Sequence, residues 1–134
     1  MTTPAVDIVR EFWARMAGND FASVGELLAD DFHVDWPQTR ERIRGRDDFA
    51  RMNAEYPAHG PWRFTIHRLF GQDGRDGQVV SDVGVTDGVT TARAISFFTV
   101  VDGRIARMVE FWPEPYEPPA GRAHLVERLP EQAG

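Results

Sequence analysis

The chain has 134 residues, enough for one domain with a real core, 42% of them apolar, and a net charge of −6. It has no cysteine, and all 15 of its basic residues are arginine; this excludes disulfides, thiolate nucleophiles, thiolate metal sites, Schiff-base lysines and a covalent pyridoxal cofactor. The acidic balance and the lack of a basic stripe argue against a nucleic-acid partner. No run of about 18 apolar residues predicts a membrane span, and MTTPAVDIVREF lacks the pattern of a secretion signal, so a cytoplasmic location is expected.

Thr3 and Pro4 open a helix, as a capping residue followed by proline at the first helical position. Val6, Val9, Trp13 and Met16 follow at helical spacing with Phe12 beside them, and Gly18 is a natural stop. Asp20 caps a second helix that turns Phe21, Val24, Leu27 and Leu28 inward. Phe32 to Trp36 alternates and stops at Pro37, which reads as a short edge strand. QTRERIRGRD is a polar connection. A third helix starts near Asp47, buries Phe49 and Met52, with Tyr56 a further candidate, and ends before Pro57. Trp62 to Phe70 is a strand with Trp62, Phe64 and Ile66 on one face, and Gln78 to Thr86 is another.

Thr91 to Trp112 is the organising stretch. Asp102-Gly103 between two apolar runs predicts a tight hairpin, because both central residues must take a positive φ. Period-2 alternation places Ala92, Ala94, Ser96, Phe98 and Val100 on one face of the first strand. On the second strand Ala106, Met108, Glu110 and Trp112 share one face, and Ile105, Arg107, Val109 and Phe111 the other. The tail 113–134 is proline-rich and extended, with RAHLVERL as a short final helix or strand. Helices first and an antiparallel meander second predict an α+β fold, with a curved sheet wrapped around the N-terminal helices and a single domain over 1–134.

This order resembles the SnoaL-like, or nuclear-transport-factor-like, α+β cone. GNDFASVGELLADDFHVDWP is similar to that family's opening stretch, ERIRGRDDFARM to the lead into its third helix, and FFTVVDGRIARMVEFW to its last hairpin. The resemblance covers about residues 5 to 113. It implies a pocket between helices and sheet; it does not fix a reaction, because the family includes ketosteroid isomerases, polyketide cyclases, dehydratases, an epoxide hydrolase and non-catalytic binders. The three chemical positions of the isomerases are changed here. Trp36 stands where their general-base Asp precedes the proline, Phe12 where their Tyr lies eight residues before the turn Asp, and Ser96 where their second oxyanion donor falls. The epoxide hydrolase's Asp–Arg–Asp set cannot be placed in full. The cyclases' single acid/base carboxylate in an apolar pocket is the pattern that Glu110 fits.

Glu110, among apolar neighbours, must find a partner, take up a proton or line a cavity. It is the candidate acid/base, expected to titrate above its ordinary value; the alternative is a structural pair with Arg42 or Arg93. Trp36, Trp62, Trp112, Phe98, Met108 and, less centrally, Phe12 and Ser96 are candidates for the wall of a closed cavity. Ordinary core packing is the alternative for the aromatic residues. Arg40, Arg42, Arg44 and Arg46 alternate along a loop, either as a clamp for an anionic group at the pocket mouth, with Arg42 the candidate contact, or as a solvated face. His33 beside Asp35 suggests an activated imidazole, yet both face away if Trp36 faces inward. His59, His67 and His124 read as surface residues. Metal-ligand spacing, HExxH, Gly-x-Ser-x-Gly and phosphate loops are absent, so neither metal nor cofactor is expected.

Three functions follow. One is a cofactor-free acid/base enzyme (cyclase, isomerase, dehydratase or hydrolase) acting on a hydrophobic cyclic or polyketide-like molecule. The others are a non-catalytic binder of such a molecule and an accessory dimer. The apolar second face of the hairpin, with Ile95, Phe97, Val109 and Phe111, predicts a homodimer through the outer sheet face, unless the tail folds back over it.

Overall fold

The N-terminal amphipathic spacing becomes α1 (Ala5–Ala17) in the computed structural model, which describes residues 3–131; the last residues of the expected tail, 132–134, lie outside the described range. Pro4 takes the cap position, so the helix begins one residue later than expected, and its buried face includes Ile8 in place of the half-buried Val6. Gly18 stays in a helical conformation; Asn19 makes the left-handed turn at φ 60°, a conformation that Asn tolerates. The Asn19 side-chain amide donates to the Trp62 carbonyl and accepts from the Trp62 N–H, both at 2.8 Å.

The second helix is shorter than predicted. α2 (Phe21–Val24) is one turn, continued by a 3-10 turn over Gly25–Leu27, and Leu28 already begins a strand. Asp20 makes no side-chain capping bond, and so short a segment is held by burying Phe21 and Val24.

Two further corrections concern the sheet. β1 (Leu28–Trp36) is longer than predicted and interior, between β2 (Glu41–Arg44) and β6 (Arg104–Phe111); β2 lies in the segment expected to be a polar connection. Arginines on either side of Ile43 conceal that strand, yet Ile43 is buried opposite Val34, and Arg40 at φ 60° makes the reversal that brings it there. α3 (Gly45–Glu55) follows, starting earlier than expected; it buries Phe49, while Tyr56 is exposed. β3 (Arg63–Gln72), β4 (Gly77–Thr86) and β5 (Thr91–Val101) complete an open six-stranded sheet in the order β2-β1-β6-β5-β4-β3. Every neighbour is antiparallel except β1 and β6, which run parallel. The architecture is the expected α+β cone.

The hairpin turns at Asp102 and Gly103, with φ of 51° and 78°. A bulge follows: Thr99 faces Arg107 but Val100 faces Ile105, so Ala106 is the extra residue. This moves Ile105 onto the inner face, contrary to strict alternation, and leaves Met108 and Glu110 on the predicted side. The interior is filled by rings. Phe12 lies 5.0 Å from Trp13, 6.0 Å from Phe49 and 5.4 Å from Phe98 between centroids, joining α1, α3 and β5. Such side chains contribute about 1.5–3 kcal/mol each by leaving water.

The outer face carries a cross-strand row running from Phe70 through Val80 and Phe97 to Val109. Phe70 and Phe97 are 66% and 47% exposed, and the Phe97 ring meets that of Phe111 edge-on at 6.3 Å.

Candidate active site

Pairing of β5 with β6 sets Ser96 directly opposite Glu110, and the Ser96 hydroxyl donates to Glu110 Oε2 at 2.6 Å. The parallel register matches Val34 with Met108 and Asp35 with Val109, so Trp36, the last residue of β1, comes level with Glu110. Its indole N–H donates to Glu110 Oε1 at 3.1 Å. Trp112, two residues beyond Glu110 and on the same face, donates its indole N–H to that same oxygen at 3.2 Å. The Trp112 backbone N–H is tied at 2.5 Å to the side-chain oxygen of Gln38.

Glu110 is 6% exposed, and no arginine reaches it. Arg42 is held by Asp35 through two bonds of 2.5 and 2.9 Å, and Arg93 is held by Asp82, which also takes Arg68. Burial therefore pushes the Glu110 carboxyl above its ordinary range, against the three hydrogen bonds that favour the charged form. With two indole donors filling Oε1, the other oxygen is the place for a proton shared with Ser96. Such a group can deliver a proton when neutral and accept one when charged.

The remaining predicted residues divide. Phe98 and Met108 are paired with each other next along the strands and are fully buried, as is Phe12; they are core. Trp62 stacks edge-on against Tyr56 at 6.1 Å and has no part in the Glu110 cluster. The rings of Phe12, Phe49 and Phe98 pack against one another in the interior. Two concavities open elsewhere: about 290 Å³ between β2 and α3, and about 210 Å³ within the tail. Arg42 borders the first of these.

The arginine array disperses. Arg40 sits in a turn, Arg42 binds Asp35, and Arg46 binds Asp30 and the Leu28 carbonyl. His33 and Asp35 share the outer face; the Asp35 carboxylate is spent on Arg42, and burial, then the charge of Arg42, pushes His33 down. His67 and His124 are exposed, while His59 touches Asp87 at 3.1 Å. Among the described residues no group of three or more His, Asp or Glu is placed to hold a metal ion. Sequence reasoning missed Gln38 as the tether of Trp112 and the hydrogen bonds that both tryptophans donate to Glu110.

The SnoaL-like domain profile matches residues 9–108. The chain belongs to the SnoaL-like family. Its fold is similar to a candidate ketosteroid isomerase from Kribbella flavida, at 41% identity over 98% of this chain and 95% of that one, with a TM-score of 0.83. This SnoaL-like protein also resembles an LEH-like epoxide hydrolase of M. tuberculosis (25% identity, 84% of each chain, TM-score 0.64). A candidate polyketide cyclase from Sinorhizobium meliloti shares the fold (23% identity, 78% of this chain and 93% of that one, TM-score 0.59). No curated protein matches the chain.

Proposed function

We propose that this SnoaL-like protein is a cofactor-free cytoplasmic enzyme in which Glu110 transfers a proton to or from a hydrophobic cyclic or polyketide-like molecule, by cyclisation, isomerisation, dehydration or hydrolysis. The observation that carries this reading is a buried carboxyl held by three neutral donors with no cation beside it. Burying an ionisable group without a counter-charge costs stability, and such groups concentrate at reactive sites. The similarity to proteins described as an isomerase, an epoxide hydrolase and a cyclase supports the reaction class. Trp36 and Trp112 are both partly exposed, so the route from solvent to Glu110 runs past their rings.

Turnover of a panel of apolar epoxides and cyclisable ketones tests the reading, with affinity followed by thermal shift. Glu110→Gln preserves the hydrogen-bonding shape of the neutral acid; it should keep ligand affinity and lose turnover by at least a hundredfold. Equal turnover in the variant would refute acid/base chemistry at Glu110. One observation favours a second reading, a non-catalytic binding or accessory role: Phe98, paired with Met108 next to the Ser96–Glu110 pair, packs into a ring cluster with Phe12 and Phe49. Under that reading no panel compound turns over, and Glu110→Gln leaves every binding constant unchanged.

A further inference from the structure

Beyond Trp112 the chain leaves its own fold. Residues 113–131 are exposed throughout, apart from a half-buried Pro118. Tyr116, Leu125 and Leu129 are 83%, 76% and 81% exposed. Yet the segment is shaped: it forms a 3-10 turn over Ala120–Leu125, and Arg128 reaches back to Glu117 at 3.4 Å. Its prolines reduce the freedom lost on docking. An ordered segment that presents large apolar side chains to water has the features of an arm awaiting a surface.

The outer sheet face offers one. The row Phe70–Val80–Phe97–Val109 crosses four strands, a stripe of about 15 Å at the usual strand spacing. The extended run 113–119 spans about 20 Å at roughly 3.1 Å per residue, long enough to follow it. Arg107 flanks the stripe on one side; on the other Arg68 and Arg93 share the single carboxylate Asp82, so the face is net positive. The arm carries Glu114, Glu117, Glu127 and Glu131 against Arg122 and Arg128, so it is net negative. The arm also starts at this face, since Phe111 packs on Phe97 immediately before the chain departs.

We propose that residues 113–131 are exchanged between two copies of the chain, each arm lying along the Phe70–Val109 stripe of the other. Two-fold exchange closes the assembly and covers both apolar surfaces at once, with arm carboxylates meeting face arginines. In its own chain the arm leaves both surfaces uncovered. The inference is independent of the chemistry at Glu110.

Sedimentation of the full chain and of a chain ending at Pro113 is the first test. The full chain should be a dimer at micromolar concentration. The shortened chain, whose removed described residues are all exposed except the half-buried Pro118, should keep its far-ultraviolet spectrum and dissociate at least tenfold more readily. The second test uses the lack of native cysteine. Leu125→Cys carrying a benzophenone is photolysed in a mixture of ¹⁴N- and ¹⁵N-labelled chains. Cross-links between a light arm and heavy β3–β6 peptides are expected. A monomeric full chain, an unchanged dissociation constant after shortening, or cross-links confined to one label would each overturn the proposal.

Discussion

Glu110 is a side chain whose environment favours its neutral form, and this has a consequence for stability. Its folded-state proton affinity lies above the ordinary value. Its contribution is therefore fully present below about pH 4.5 and is lost as pH rises through the raised midpoint. Glu110→Gln should match the wild type near pH 4 and become the more stable protein at higher pH. The gain should be about 1.4 kcal/mol for every tenfold rise in folded-state proton affinity, read from denaturant midpoints across pH. Of the three donors, Ser96 opposes the upward push most strongly, ahead of Trp36 and Trp112. Ser96→Ala should accordingly raise the Glu110 midpoint further than Trp36→Phe or Trp112→Phe, as followed by the carboxyl ¹³C shift. The burial of Glu110 was legible in the sequence from alternation alone. Its partner Trp36 was not legible as a donor, because that contact depends on a strand pairing 74 residues away.

At the scale of elements, two contacts fix how the helix and loops sit on the sheet. A Cβ added at Gly77 would lie 2.7 Å from that of Ala5, so the glycine lets α1 approach β4. Gly77→Ala should cost about 1–3 kcal/mol through overpacking, measurable as a lower urea midpoint with an unchanged slope. Asp87 accepts backbone N–H bonds from His59, Val89 and Thr90 at 2.7–2.9 Å, joining the loop after α3 to the β4–β5 turn. The His59 amide contributes most to holding Asp87 well below the usual carboxylate range. A depressed carboxylate stabilises fully above its ordinary value, and the contribution is lost as pH falls below that value and on through the depressed folded-state one. Asp87→Ala should speed hydrogen exchange at those three amides at neutral pH, with the difference from wild type shrinking in acid. The β5–β6 hairpin was legible because its determinants are local: Asp102, Gly103 and a two-residue period. β2 was not, since a single inward Ile43 among arginines carries no period, and neither was the bulge at Ala106, which no residue type announces. The second helix was overextended because its apolar spacing continues into Leu28, whose place is set by the sheet.

For the whole molecule, the proposed association rests on the outer stripe. Phe97→Arg puts a charge at its centre and should yield monomers by sedimentation at micromolar concentration; an unchanged dimer mass would place the contact elsewhere. The α+β cone itself was legible from the order of helices and strands. The ring cluster of the interior was not, because it depends on how Phe12, Phe49 and Phe98 meet across three elements.

The parallel pairing of β1 with β6 also orders events in time. Residues 28–36 leave the ribosome long before residues 104–111, and no contact between them can form until the last strand exists. Until then β1 has only the short β2 beside it, and its far edge stays open. Closing so long a loop comes late in folding, after the local hairpins have formed. The cluster around Glu110 is thus completed by the final closure of the sheet, and a nascent chain cannot hold this carboxyl in its buried state before the strand that bears it has docked.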